Sequence, residues 1–244
     1  MPTSSETHIV LVSDISGSMS SMGNIPCNEL NKLIKEQKGD VTFDCWSFND
    51  EHKLLFQDLN ASEANISDLV PSGGTALYGS LGYIIDKTGE KLANMPQDSR
   101  PKKVMIVIYT DGEENSSKDE YKGENGRLLV KSKIEHQQSV YSWVFMFLGS
   151  NIDAEKNGTS IGITSQTCIN YTSSQKGYTA VFRSASQAVD RLRSVAPEDR
   201  SEIIKRVAFT DEEKEESIDY NNDVVSNNNT ISNNFCRISS NAYF

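Results

Sequence analysis

Three short, uninterrupted apolar runs constrain this chain most: HIVLVS at 8–13, VMIVIY at 104–109 and YSWVFMFL at 141–148. A strand with one wet face alternates polar and apolar residues. A strand without alternation is covered on both faces, as in the middle of a parallel sheet. Between these runs the apolar period becomes helical. Leu30, Leu33 and Ile34 mark a helix that runs to Gln37, with Gly39 as its stop. From Thr75 onward, Leu77, Leu81, Ile84, Ile85 and Leu92 fall on one helical stripe. Further helices are expected over 118–138 and around 152–160. Val181, Phe182, Ala185, Val189 and Leu192 mark a last amphipathic helix. A short strand is expected near 167–171.

The segment VTFDCWSF at 41–48 does alternate, and KLLFQ follows at 53–57 after the turn residues Asn49-Asp50. Two strands joined so tightly form an antiparallel hairpin. Strands alternating with helices imply an α/β chain: a three-layer, doubly wound, Rossmann-like fold with a mostly parallel six-stranded sheet. The 53–57 strand is then its antiparallel edge. Trp46 and Trp143 lie on expected strands and read as core. His8, His52 and His136 read as ordinary surface or strand residues.

The pattern ends near Ala196, so residues 1–196 are read as the domain and 197–244 as a tail. That tail holds ten acidic and five basic residues, half of the chain's net charge of −10. Its first part, about 198–217, reads as helical. The Asn-rich stretch 221–234 buries too little apolar surface to offset its ordering entropy and is expected to be disordered. The acidic balance argues against nucleic acid, whose phosphates call for clustered Lys and Arg. No apolar run reaches the roughly 18–20 residues that span a bilayer. The start, MPTSSETH, lacks the basic and apolar regions of a signal peptide. Cys27, Cys45, Cys168 and Cys236 form no CxxC pair and read as free thiols. Together these features point to a cytoplasmic chain.

Three loops carry the chemistry. Asp14-Ile15-Ser16-Gly17-Ser18 follows the first strand, Gly73-Gly74-Thr75 opens a helix, and Thr110-Asp111-Gly112 follows the 104–109 strand. Loops at the carboxyl ends of parallel strands converge on one sheet edge. Two carboxylates and three hydroxyls therefore meet there, a hard-oxygen set suited to magnesium. Neither thiolate nor imidazole is present to favour zinc or copper. Gly17, Gly73 and Gly74 permit close backbone approach.

At these residues the sequence resembles von Willebrand factor A (VWA) domains. DISGS is similar to the DxSxS signature of their metal-ion-dependent adhesion site, Thr75 to its separate threonine and Asp111 to its second aspartate. GGTALYGSL, VIYTDGEENSS and FLGSNIDAEKNGTSIGI look like stand-alone bacterial and phage VWA proteins. The resemblance spans about residues 7–193 and leaves the tail out. It implies that Ser16, Ser18 and Thr75 offer hydroxyls to a magnesium or manganese ion, with calcium less suited to a small site. Asp14 and Asp111 bind the ion directly or through water. One position stays open for an Asp or Glu of a protein partner, and Gly17, Gly73, Gly74, Gly112, Glu113 and Glu114 form the rim. Glu113 and Glu114 also fit a simpler role as solvated charges ahead of a helix.

The resemblance implies a metal-dependent protein-binding module. One alternative is a regulatory or structural VWA protein whose metal only steadies the loops. The other is a magnesium-dependent hydrolase. A haloacid-dehalogenase-type phosphotransferase needs a second Asp two residues after the first, where this chain has Ser16. No GxGxxG or GxxxxGK[ST] loop is present, and no histidine lies in the three loops. The chain is therefore read as a non-enzyme. Oligomeric state is open.

Overall fold

The structure is a computed structural model that describes residues 6–67, 69–196 and 200–219. Its centre is a six-stranded sheet in the order β3-β2-β1-β4-β5-β6. The strands are β1 (Thr7–Asp14), β2 (Val41–Phe48), β3 (His52–Asn60), β4 (Lys103–Thr110), β5 (Val144–Ser150) and β6 (Cys168–Tyr171). Neighbours pair in parallel except β2 with β3, so the expected antiparallel edge strand is the one observed.

The uninterrupted apolar runs are explained by two cores, one on each sheet face. Ile9, Leu11, Phe43, Met105, Val107 and Met146 face α1 (Ile25–Glu36) and α5 (Gln175–Ser194). Their alternates Val10, Val12, Ile106, Ile108 and Phe147 face α2 (Leu77–Asn94) and α3 (Gly123–Tyr141). Trp46 and Trp143 are buried in this second core, as expected. A short helix, α4 (Ala154–Ser160), precedes β6. No helix among the described residues is long and apolar enough to cross a membrane.

Two boundaries differ from the sequence reading. The 118–138 helix begins at Gly123, after a single 3-10 turn, and continues to Tyr141. The strand expected from 141 therefore starts only at Val144. Ser142, at φ 56°, ends the helix in the left-handed region that the C-terminus of a helix often adopts. The second difference is larger. The helical stretch expected over about 198–217 is present, as two short helices, but it docks on the domain, so the folded part does not stop at Ala196. Both α6 (Arg200–Val207) and α7 (Asp211–Glu216) follow. They place Ile203, Val207 and Phe209 in the α5-side core. Thr172 N–H donates to Ser217 O at 3.0 Å, which ties this segment to the end of β6. The Arg191 guanidinium pairs with Glu213 at 2.7 Å. Counting charge concealed these anchors, because three apolar residues among many acids leave the average polar. The expected disorder beyond residue 219, and Cys236, lie outside the described residues.

Helix α7 starts with a capping box: Thr210 Oγ1 accepts from Glu213 N–H at 3.1 Å, and Glu213 Oε2 accepts from Thr210 N–H at 2.8 Å. Thr210→Ala removes one of these bonds and is expected to cost about 1 kcal/mol of global stability. Urea unfolding checks this. An unchanged midpoint means that α7 does not belong to the cooperative unit.

Candidate metal centre

The strand order places β1 beside β4, whereas in sequence each is followed by a different crossover. This is a switch point, where loops diverge and leave a crevice at the carboxyl ends of the strands. Asp14 ends β1, and Thr110 ends β4 at nearly the same level, since Ser13 pairs with Tyr109. The PSGGT loop is drawn in by backbone bonds: Gly17 N–H donates to Gly73 O at 3.0 Å, and Ser72 N–H to Ile15 O at 2.8 Å. Gly73 sits at φ +74°, and any side chain there would collide with the Asp50 carboxylate. That position calls for glycine.

All five expected ligand residues come together. Asp14 is fully buried, with Oδ1 accepting from Ser16 N–H at 2.7 Å and Oδ2 from the Thr110 hydroxyl at 2.5 Å. The Ser16 and Ser18 hydroxyls lie 3.0 Å apart, and Ser18 donates to Asp111 Oδ1 at 2.6 Å. Thr75 closes the group. A Cβ built on Gly112 would lie 3.1 Å from Thr75 Oγ1 and 3.8 Å from Ser18 Oγ. Gly17 and Gly73 are exposed beside the cluster, as is Glu113. Glu114 is not free to face a partner. Its carboxylate accepts from Tyr78 N–H at 2.8 Å, at the start of α2, and from Ser117 N–H at 2.7 Å. It caps α2 instead of ringing the crevice.

The electrostatics call for a cation. Burial pushes the Asp14 carboxyl up to about 6, against the opposing hydrogen bonds from Thr110 and Ser16, and the Asp111 charge adds a smaller push. Burial also raises Asp111, against the Ser18 hydrogen bond. Among the described residues, no Lys, Arg or His forms an ion pair with Asp14 or Asp111, and no positive group is among the main influences on either carboxylate. Two acids held together without a counter-charge, beside three hydroxyls, fit a hard divalent ion.

A supporting layer was not foreseen. Asn115 Oδ1 accepts from Thr75 N–H at 2.8 Å, and Thr75 O accepts from Asn115 N–H at 3.0 Å, so Asn115 fixes the threonine. Asp50 holds Gly74 N–H at 3.0 Å from the β2–β3 turn. In an Asn- and Ser-rich sequence neither residue stands out. The one available signal was that EENSS is too polar to open a packed helix.

A second group of potential metal ligands, His8, Asp44 and Asp58, has its ligand atoms within 4.8 Å of one another. Its centre is occupied by a side chain. Lys91 Nζ lies 2.6 Å from Asp44 Oδ2, 2.9 Å from Asp58 Oδ1 and 3.1 Å from His8 Nε2. The ammonium supplies the positive charge that an ion would bring, so we read this group as an ion-pair brace. His8 is thus a buried strand residue, not a surface one. Fourteen residues of α2 separate Lys91 from Leu77. That puts the brace roughly 20 Å from the metal loops.

No protein-family profile matches the sequence, and no curated protein does. Solved structures do resemble it in fold. The von Willebrand factor domain of the type V pili tip protein Mfa5 from Porphyromonas gingivalis aligns with a TM-score of 0.55 at 11% identity, over 77% of this chain and 96% of that one. Proximal thread matrix protein 1 from the mussel byssus aligns at 0.52 and 14% identity, over 75% of this chain and 46% of that one. A von Willebrand factor type A protein from Catenulispora acidiphila aligns at 0.50 and 13% identity, over 75% and 42%. The chain therefore spans less than half the length of the last two.

Proposed function

We propose that this chain, which has the fold of von Willebrand factor A domains, is a divalent-metal-dependent protein-binding module and not an enzyme. Asp14, Ser16, Ser18, Thr75 and Asp111 would hold a magnesium or manganese ion. The ion would supply a positive centre for an Asp or Glu carboxylate of a partner. The observation that carries this reading is the pair of uncompensated carboxylates beside three converging hydroxyls. Neutral hydroxyl ligands leave much of an ion's charge unspent, so that an outside carboxylate can neutralise it. This chain's own residues do the positioning. Thr110 fixes Asp14, Asn115 fixes Thr75, and Glu114 locks the start of α2.

The fold neighbours include a pilus tip protein and a byssal matrix protein, which favours binding over catalysis as the use of such a site. The reading places this chain in the cytoplasm, in keeping with the buried Cys45 and Cys168, which form no disulfide among the described residues. The test is recovery of partners from host extract in magnesium and in chelator. The true partner is retained only with metal and is lost when its acidic contact becomes Asn or Gln. Thr75→Ala is expected to weaken that binding by about tenfold, as loss of one supporting metal contact does. A partner held equally in chelator contradicts the proposal. Phosphate-ester hydrolysis that requires magnesium and Asp14 would establish the hydrolase alternative instead.

A further inference from the structure

Beside the metal loops lies a cleft of about 230 Å³, on the far side of the PSGGT loop. Its lining includes Ala76, next to Thr75, and Asp50, which holds the N–H of Gly74. Both lie beside the threonine of the metal site, since Ala76 N–H donates to Asn49 O at 2.8 Å. Two features of α2 open it. Tyr121 lies against the helix at Gly82, where any side chain would overlap its ring, and Gly79 N–H donates to Ser117 Oγ at 2.9 Å. Tyr83 forms the outer lip, stacked on His52 with ring centroids 3.9 Å apart.

The lining selects for positive charge. Asp50, Asp119 and Glu120 set three carboxylates against one ammonium, that of Lys118. None of the three acids has a Lys or Arg nitrogen within ion-pairing distance among the described residues. Desolvation holds the His52 imidazole below its usual range, so it adds no charge near neutrality. The tyrosine and imidazole rings present π surfaces that attract cations, guanidinium above all. One observation is independent of the acids. Ser80 lines the cleft, is only 1% exposed, and its Oγ has no hydrogen-bond partner. A buried hydroxyl left without a partner is costly, and a ligand N–H entering the cleft would satisfy it.

We propose that this cleft is a specificity subsite that takes the guanidinium of an arginine lying a few residues from the acidic residue at the metal. The inference rests on the metal-dependent reading and names the partner's second determinant: acid and base on one extended segment. Two to four residues of extended chain span roughly 7–14 Å, which matches a cleft whose lining includes Ala76, next to Thr75.

The test uses the full chain and the peptides Ac-Glu-(Gly)n-Arg-NH2, with n from one to three, against the same peptides ending in Gln. Amide spectra are followed in magnesium. Arginine is expected to tighten binding by about tenfold at the best spacing, the scale of one charge-assisted contact. The double variant Asp119→Asn, Glu120→Gln leaves Asp50 on the Gly74 N–H, and should bind both peptide series with near-equal affinity and still in a magnesium-dependent way. Equal binding of Arg and Gln peptides to the wild-type chain overturns the subsite and leaves the metal reading standing. A second probe, N-acetylarginine amide in chelator, separates the remaining cases. If peptide binding ignores magnesium but this probe shifts the Ser80, Tyr83 and Tyr121 amides, the subsite stands and the metal reading fails. If the probe shifts nothing and neither peptide series binds, both fail.

Discussion

Asp14→Asn is expected to abolish magnesium binding and, in the same variant, to stabilise the metal-free chain at neutral pH. The two effects share one cause. Asp14 is fully buried at the centre of the cluster, and among the described residues no cation pairs with it. Its carboxyl is raised from 3.8 to about 6 in the folded chain. Between those values the unfolded chain holds fewer protons than the folded one. Stability of the metal-free protein therefore falls as pH rises through that window and stays low above it. The full difference corresponds to about 3 kcal/mol. Asparagine cannot ionise, yet its carbonyl still accepts from Ser16 N–H. The Thr110 hydroxyl, freed from the carboxylate, retains Gly112 O at 3.1 Å. Wild type in chelator should thus melt higher at pH 5 than at pH 7, while the variant shows little such slope. Magnesium should restore wild-type stability at pH 7 by mass action and leave the variant unmoved. Calorimetric titration should show a loss of metal affinity of more than about a hundredfold. A variant that binds magnesium like wild type contradicts the ligand assignment. One that is less stable than wild type in chelator at pH 7 contradicts the electrostatic account.

The second large effect is expected far from the metal loops. Lys91→Met should destabilise the fold by about 2–3 kcal/mol, because it removes one of the two groups paired with buried Asp44 and leaves His8 alone against it. Burial pushes the Asp44 carboxyl up, but the hydrogen bond and charge of His8 and the Lys91 ammonium outweigh it and hold it below its usual range. Asp44 also anchors a bulge in the edge strand. It faces the register shift between Phe43 and Cys45, and its Oδ1 accepts from Asp58 N–H at 2.9 Å, with Asp58 at φ 54°. The brace thereby ties β1, β2, β3 and α2 together, and losing it loosens the antiparallel edge strand of the sheet. Magnesium affinity should stay within about twofold, since distant sites act independently. Denaturant unfolding checks the first part. A loss below about 1 kcal/mol would mean that the four groups are individually solvated instead of mutually paired.

What the sequence made legible follows from the kind of interaction involved. Runs such as VMIVIY report burial on both faces, so the parallel core was readable from local pattern alone. The tight join between 41–48 and 53–57 gave the antiparallel edge in the same way. The five oxygen-bearing residues were legible because each sits at a strand end or helix start, and sheet topology brings such positions together. The brace was not legible. His8, Asp44, Asp58 and Lys91 are scattered in sequence and meet only through strand register and the return of α2. Nor was the docking of α6 and α7, which depends on Ile203, Val207 and Phe209 inside an acidic stretch. Glu114 reads equally well as a rim charge or a cap, and only its bonds to Tyr78 and Ser117 decide between them.

The converging loops, and not the Lys91 brace, are expected to hold a divalent ion. Manganese tests this most directly, because its unpaired electrons broaden the amide signals of nearby residues. Added at about one equivalent to the labelled chain, it is predicted to erase the signals of residues 14–18, 73–76 and 110–112 and to spare those of His8, Asp44 and Asp58. Excess magnesium should restore the lost signals. Broadening centred on His8 and Asp44, or spread evenly over the acidic surface, would contradict the account.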